Sequence, residues 1–100
     1  MQTYPTKQDK QLIDAFSSLE NSKEVASFLR DLLTTAEIEE FSRRFQIAQL
    51  LWKTNMPYLE IAENVGTSTT TVTRVAQWLF KEPWHGYAVV LERMYGKSKR

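Results

Sequence analysis

Twenty residues, YLEIAENVGTSTTTVTRVAQ at 58–77, constrain this chain more than any other stretch. Ile61, Ala62 and Val65 fall at helical spacing before Gly66, and Val72, Val75, Ala76 and Leu79 do so after it. Gly66 permits the positive φ of a tight turn. Ala62 is small enough for a second helix to cross close above it. Ile61, Val65, Val72 and Val75 then wedge two helices at a steep angle. No proline interrupts either one. This is the spacing of a helix-turn-helix over about residues 57–80. The same spacing also fits an αα-corner with no nucleic-acid role.

The rest of the chain reads as helix too, because no stretch alternates for long like a half-buried strand. Thr6 caps a first helix carrying Leu12, Ile13, Phe16 and Leu19. Asn21 with Glu24 opens a second, carrying Val25, Phe28, Leu29 and Leu32. Thr34 with Glu37 forms a capping box for a third. Its wide apolar arc runs through Ile38, Phe41, Phe45, Ala48 and Trp52, with Ile47, Leu50 and Leu51 beside it. A fourth helix begins with Asn55 or Met56 at the cap and Pro57 in the first turn, where a missing N–H costs nothing. Thr67–Ser68 opens the fifth, and Lys81–Glu82–Pro83 closes it. Tyr87, Val90, Leu91 and Met94 give a sixth, followed by a basic tail at 97–100. The expectation is an all-α fold of six helices, one domain over 1–100, with no repeat and no linker.

Composition removes several function classes. The chain has no cysteine, which excludes a disulfide scaffold, a thiolate zinc site and a cysteine nucleophile. Its one histidine, His85, lies between Trp84 and Gly86 and reads as a turn residue. Glu37, Glu39 and Glu40 stand at a helix start, where they complement the dipole without any acid–base role. No glycine-rich phosphate loop is present, so neither enzyme activity nor a metal is expected. The apolar run Ala88–Leu91 is far too short to cross a bilayer. MQTYPTKQDK has no apolar signal region, so a cytoplasmic location with no membrane partner is expected. Twelve aromatic residues are many for a core this small, and an intertwined homodimer would cover them.

The outward side of the fifth helix points to nucleic acid. Ser68, Thr69, Thr70, Thr71 and Thr73 crowd its first turn and a half. β-Branched hydroxyl residues are poor helix formers. They suit a surface that meets phosphates, base edges and thymine methyls. The charge pattern pulls the other way. The net charge is +1, and Glu60 and Glu63 lie on the preceding helix. Positive charge must come from Arg43, Lys53, Arg74, Lys81, the tail or a second subunit. A helix-turn-helix used for protein interaction remains the rival reading.

The segment LLTTAEIEEFSRRFQIAQLLWKTNMPYLEIAENVGTSTTTVTRVAQWL resembles the Trp repressor superfamily, and more closely the related proteins of Gram-positive bacteria whose effector is undefined. The resemblance covers about residues 25–95. Its most specific pieces are Leu32–Leu33–Thr34 with Glu37, Arg44, and Thr71–Val72–Thr73–Arg74. It implies a six-helix intertwined homodimer whose helix-turn-helix units bind double-stranded DNA at a palindromic operator, as a transcription regulator and repressor. Matched DNA contacts fall on Thr67, Ser68, Thr69, Thr70, Thr71 and Thr73. Leu59 and Ala62 face the DNA backbone where the repressor has basic residues. The matched effector pocket holds Arg44 and Arg74, which sandwich an indole in the repressor, and Asp31, Leu33 and Thr34 from the partner subunit. Val75 stands where the repressor has glycine, and Trp78 where it has serine. Their volume argues against L-tryptophan bound in the usual manner, because overpacking costs roughly 1–3 kcal/mol. A pocket rearranged around L-tryptophan or another small aromatic effector is the alternative. No other cofactor is implied.

Overall fold

A computed structural model describes residues 3–100. Among these there are six helices and no strands: α1 (Lys7–Ser17), α2 (Ser22–Leu32), α3 (Thr35–Lys53), α4 (Tyr58–Val65), α5 (Thr69–Phe80) and α6 (Gly86–Tyr95). The chain divides into two compact units, the first ending at Ile38 and the second spanning Glu39–Arg100. The boundary falls inside α3.

The first unit is built by its caps. The Thr6 hydroxyl accepts the Asp9 N–H, and the Asp9 carboxylate accepts the Thr6 N–H at 2.8 Å, closing a capping box. Asn21 accepts the Glu24 N–H at 2.9 Å. The Glu24 carboxylate reaches one residue further back than a box requires and accepts from Glu20. Thr34 and Glu37 close a second box reciprocally, at the start of α3. Phe16 and Phe28 meet edge to face, 5.1 Å between ring centres. No residue of α1 or α2 is buried.

The second unit holds the core. Ile47, Ala48, Leu51 and Trp52 from α3 pack with Ile61 and Ala62 of α4, Val72, Val75, Ala76 and Leu79 of α5, and Leu91 of α6. Burying a side chain the size of Ile47, Leu51 or Leu79 contributes about 1.5–3 kcal/mol. Every apolar position expected to wedge the helix-turn-helix is buried except Val65, which packs against the cluster half-buried.

Pro57 departs from expectation. It is the N-cap itself, at φ −62° and ψ 151°, and α4 starts one residue later at Tyr58. The cause is the preceding turn. The Thr54 hydroxyl donates to the Leu50 carbonyl and accepts the Met56 N–H. That leaves Pro57 extended, with its carbonyl accepting the Ile61 N–H at 3.0 Å. Neither Asn55 nor Met56 caps α4.

Candidate nucleic-acid interface

Gly66 ends α4 in the left-handed conformation, φ 81° and ψ 45°. The N–H groups of Gly66 and Thr67 both donate to the Ala62 carbonyl at 2.9 Å. Such a reversal satisfies helix-end carbonyls and turns the chain within two residues. Ser68 then caps α5, its hydroxyl accepting the Thr71 N–H at 3.2 Å.

The hydroxyls of this segment fall into two groups. Ser68 and Thr71 hydrogen-bond to each other at 3.1 Å, and Thr73 donates to the Thr69 carbonyl at 3.0 Å. These hold the helix start. The hydroxyls of Thr69 and Thr70 are exposed and make no hydrogen bond among the described residues. Thr67 is half-buried at the turn. Along the outward face of α5, Thr69, Thr70, Thr73, Arg74 and Gln77 line an open groove of about 440 Å³. The first N–H groups of the helix and its partial positive charge suit an anion at its start. On α4, Leu59 is 62% exposed while Ala62 is 3% exposed, so only Leu59 presents a side chain outward.

Three of the cations considered as phosphate partners, Arg43, Lys53 and Arg100, are engaged within the chain. Glu40 takes Arg43 at 3.1 Å and Arg44 at 3.5 Å. The Lys53 ammonium lies 4.3 Å from the Tyr95 ring centre. Arg100 is bound to backbone carbonyls. Arg74 on the groove and Lys81 at the end of α5 carry no ion pair among the described residues. Exposed pairs of this kind are weak and exchange readily.

The matched effector residues lie in both units. In the first, Asp31 is exposed on the last turn of α2, Leu33 is the extended C-cap at φ −113° and ψ 150°, and Thr34 is the helix cap described above. In the second, Val75 is fully buried and belongs to the core. The Arg44 guanidinium lies 5.7 Å from the Trp78 ring centre and 5.5 Å from that of Phe41, within cation–π range of both. Burial pushes the Tyr87 phenol up, and the nearby Arg44 charge partly opposes this. Phe45, Trp78, Glu82, Trp84, His85 and Tyr87 also line an open pocket of about 670 Å³. Sequence reasoning missed that pocket. Its signal was the density of aromatic residues on either side of Pro83. His85, at its edge, holds a left-handed backbone (φ 57°).

No three His, Asp or Glu residues gather to hold a metal among the described residues. No described helix is long and apolar enough to cross a membrane.

An all-α chain with a tight left-handed elbow and a polar outward face on the helix after it is a helix-turn-helix protein. The family model described as Trp repressor protein matches residues 7–95, and the chain belongs to that family. A protein of Bacillus subtilis (strain 168), described as uncharacterized protein YerC, is 35% identical over 69 residues; the match spans 69% of this chain and 65% of that protein. The crystal structure of a TrpR like protein from Eubacterium eligens ATCC 27750 superposes with a TM-score of 0.79 at 38% identity, covering 90% of this chain and 91% of that one. A solved structure from Staphylococcus aureus gives 0.80 at 32% identity, covering 93% and 91%.

Proposed function

We propose that this protein is a transcription regulator, acting as a repressor, that binds a palindromic DNA operator as a homodimer in the cytoplasm. The whole chain serves as one DNA-binding domain. The observation that carries this reading is the Gly66 elbow, which presents the groove of Thr69, Thr70, Thr73, Arg74 and Gln77 on one exposed helix face. Thr67, Ser68 and Thr71 shape its start, and Thr69, Thr70 and Thr73 offer hydroxyls and methyls to base edges and phosphates. Two such helices in a dimer would stand about one DNA turn, roughly 34 Å, apart. Membership of the Trp repressor family supports the same reading.

The effector reading is that L-tryptophan does not control this protein in the usual way. It is supported by Trp78, whose own indole lies near the Arg44 guanidinium that the family resemblance assigns to gripping a ligand's ring. Val75 supports it too, because it is buried in the core rather than lining an open site.

The test is selection of genomic fragments by the purified protein, with and without aromatic amino acids, followed by gel shifts over a salt series. Enrichment of a palindromic motif with salt-dependent affinity is the expected result. If no fragment is retained, the helix-turn-helix serves protein interaction instead. Calorimetry showing micromolar L-tryptophan binding would overturn the effector reading.

A further inference from the structure

The carbonyls at the end of α3 need donors, because the last turn of a helix has no intrahelical partners for them. The sequence offers no glycine there to make a left-handed cap; Lys53 is followed by Thr54 and Asn55. The Leu50 carbonyl is taken locally by the N–H and hydroxyl of Thr54. The next two are taken from more than 40 residues away. The Arg100 Nε donates to the Leu51 carbonyl at 2.8 Å and to the Thr54 carbonyl at 3.0 Å. The Lys99 N–H donates to the Trp52 carbonyl at 2.9 Å. A second Arg100 nitrogen donates to the Met56 carbonyl, immediately before the α4 cap. The Arg100 guanidinium also lies 5.9 Å from the ring centre of Tyr58, the first residue of α4.

The return path has its own hinge. Gly96 adopts φ 83° and ψ −164°, a region open essentially to glycine alone. Its carbonyl accepts the Trp52 indole N–H at 2.7 Å, so the turn is pinned to a buried side chain of α3. A planar guanidinium can address three carbonyls at once, which a lysine ammonium on a flexible stem cannot do in the same fixed geometry. The negative end of the α3 dipole favours a cation at this position.

We propose that Gly96–Arg100 is an intramolecular strap that closes the open end of α3 and holds the α3–α4 elbow, with Arg100 as a positioning residue for the helix-turn-helix. The strap stands on the geometry of the free protein. Only its consequence for DNA rests on the regulator reading above. The competing role for these residues is a basic arm lying on phosphates.

Two variants separate the roles. Gly96→Ala keeps every charge, and an added Cβ meets nothing within 4 Å, so it acts through the backbone conformation alone. Arg100→Gln removes the charge and the fork. In the free protein, amide hydrogen exchange at Thr54, Met56 and Ile61 is expected to rise about tenfold in both variants, the scale of losing charge-assisted hydrogen bonds that are partly solvated. Exchange along α2 should stay unchanged. Arg100→Lys is expected to behave like Arg100→Gln rather than to rescue. Where DNA binding is measurable, Arg100→Gln should weaken it several-fold with the salt slope unaltered. Unchanged exchange at the three amides in both variants would overturn the strap, whether or not the protein binds DNA. A salt slope reduced by about one unit with unchanged exchange would assign the tail to phosphate instead.

Discussion

Gly66 shows what a single residue decides here. A Cβ added at Gly66 would meet no atom within 4 Å, so a substitution costs only the left-handed backbone. Gly66→Ala is expected to lose about 1–2 kcal/mol and to lower the melting temperature by several degrees in a thermal scan. Glu37 makes a pH-dependent contribution. Its carboxylate is held below the ordinary value of 4.5, chiefly by the Thr34 N–H and then by the Thr34 hydroxyl. A depressed carboxylate stabilises the fold above its unfolded pKa and loses that contribution as pH falls through the folded one. The start of α3 should therefore loosen below about pH 4.5, and Glu37→Gln should flatten this acid limb in an NMR titration of the Thr34 and Glu37 amides. Glu37 and Gly66 were legible in sequence, because capping boxes and left-handed turns are local signals. Pro57 was misplaced by one residue, because the Thr54 hydroxyl, bonded to Leu50 and Met56, set the turn before it.

α5 carries two kinds of residue on two faces, and substitutions on them should separate. Val72 is fully buried in the core cluster, so Val72→Ala should cost about 1–3 kcal/mol in denaturant unfolding, through lost burial and a residual cavity. Thr70 is exposed and contributes nothing to the core. Thr70→Ala should leave unfolding within about 0.5 kcal/mol of the parent. Its effect should appear in fluorescence anisotropy with the selected operator, as a loss of roughly 1–3 kcal/mol. The period of apolar residues was enough to place both faces. It did not show that the Ser68, Thr71 and Thr73 side chains are partly occupied in holding the helix start, since those bonds depend on rotamers rather than spacing. Nor did it show that Arg43 and Lys53 are engaged with Glu40 and Tyr95; the i,i+4 pairing of Arg44 with Glu40 was legible from spacing.

At the scale of the whole molecule, the buried residues among those described all belong to the second unit, while Leu12, Ile13, Phe16 and Leu32 of the first are each about 40% exposed. Apolar side chains left in this state favour association, which is the physical content of the homodimer proposal. A dimer whose subunits share a core gains stability by mass action. The melting temperature should therefore rise with protein concentration, and sedimentation should give twice the chain mass at micromolar concentration. A concentration-independent transition at monomer mass would remove the dimer. Local chemistry in the sequence determined the six helices, the caps at Thr6, Asn21, Thr34 and Ser68, the elbow at Gly66 and the apolar stripes, because each depends on residues within one or two turns of each other. Only the tertiary structure decided that aromatic residues around Pro83 line a pocket and that Arg100 closes α3. Those contacts join residues far apart in sequence, and no periodicity encodes which side chain arrives at which distant carbonyl or ring.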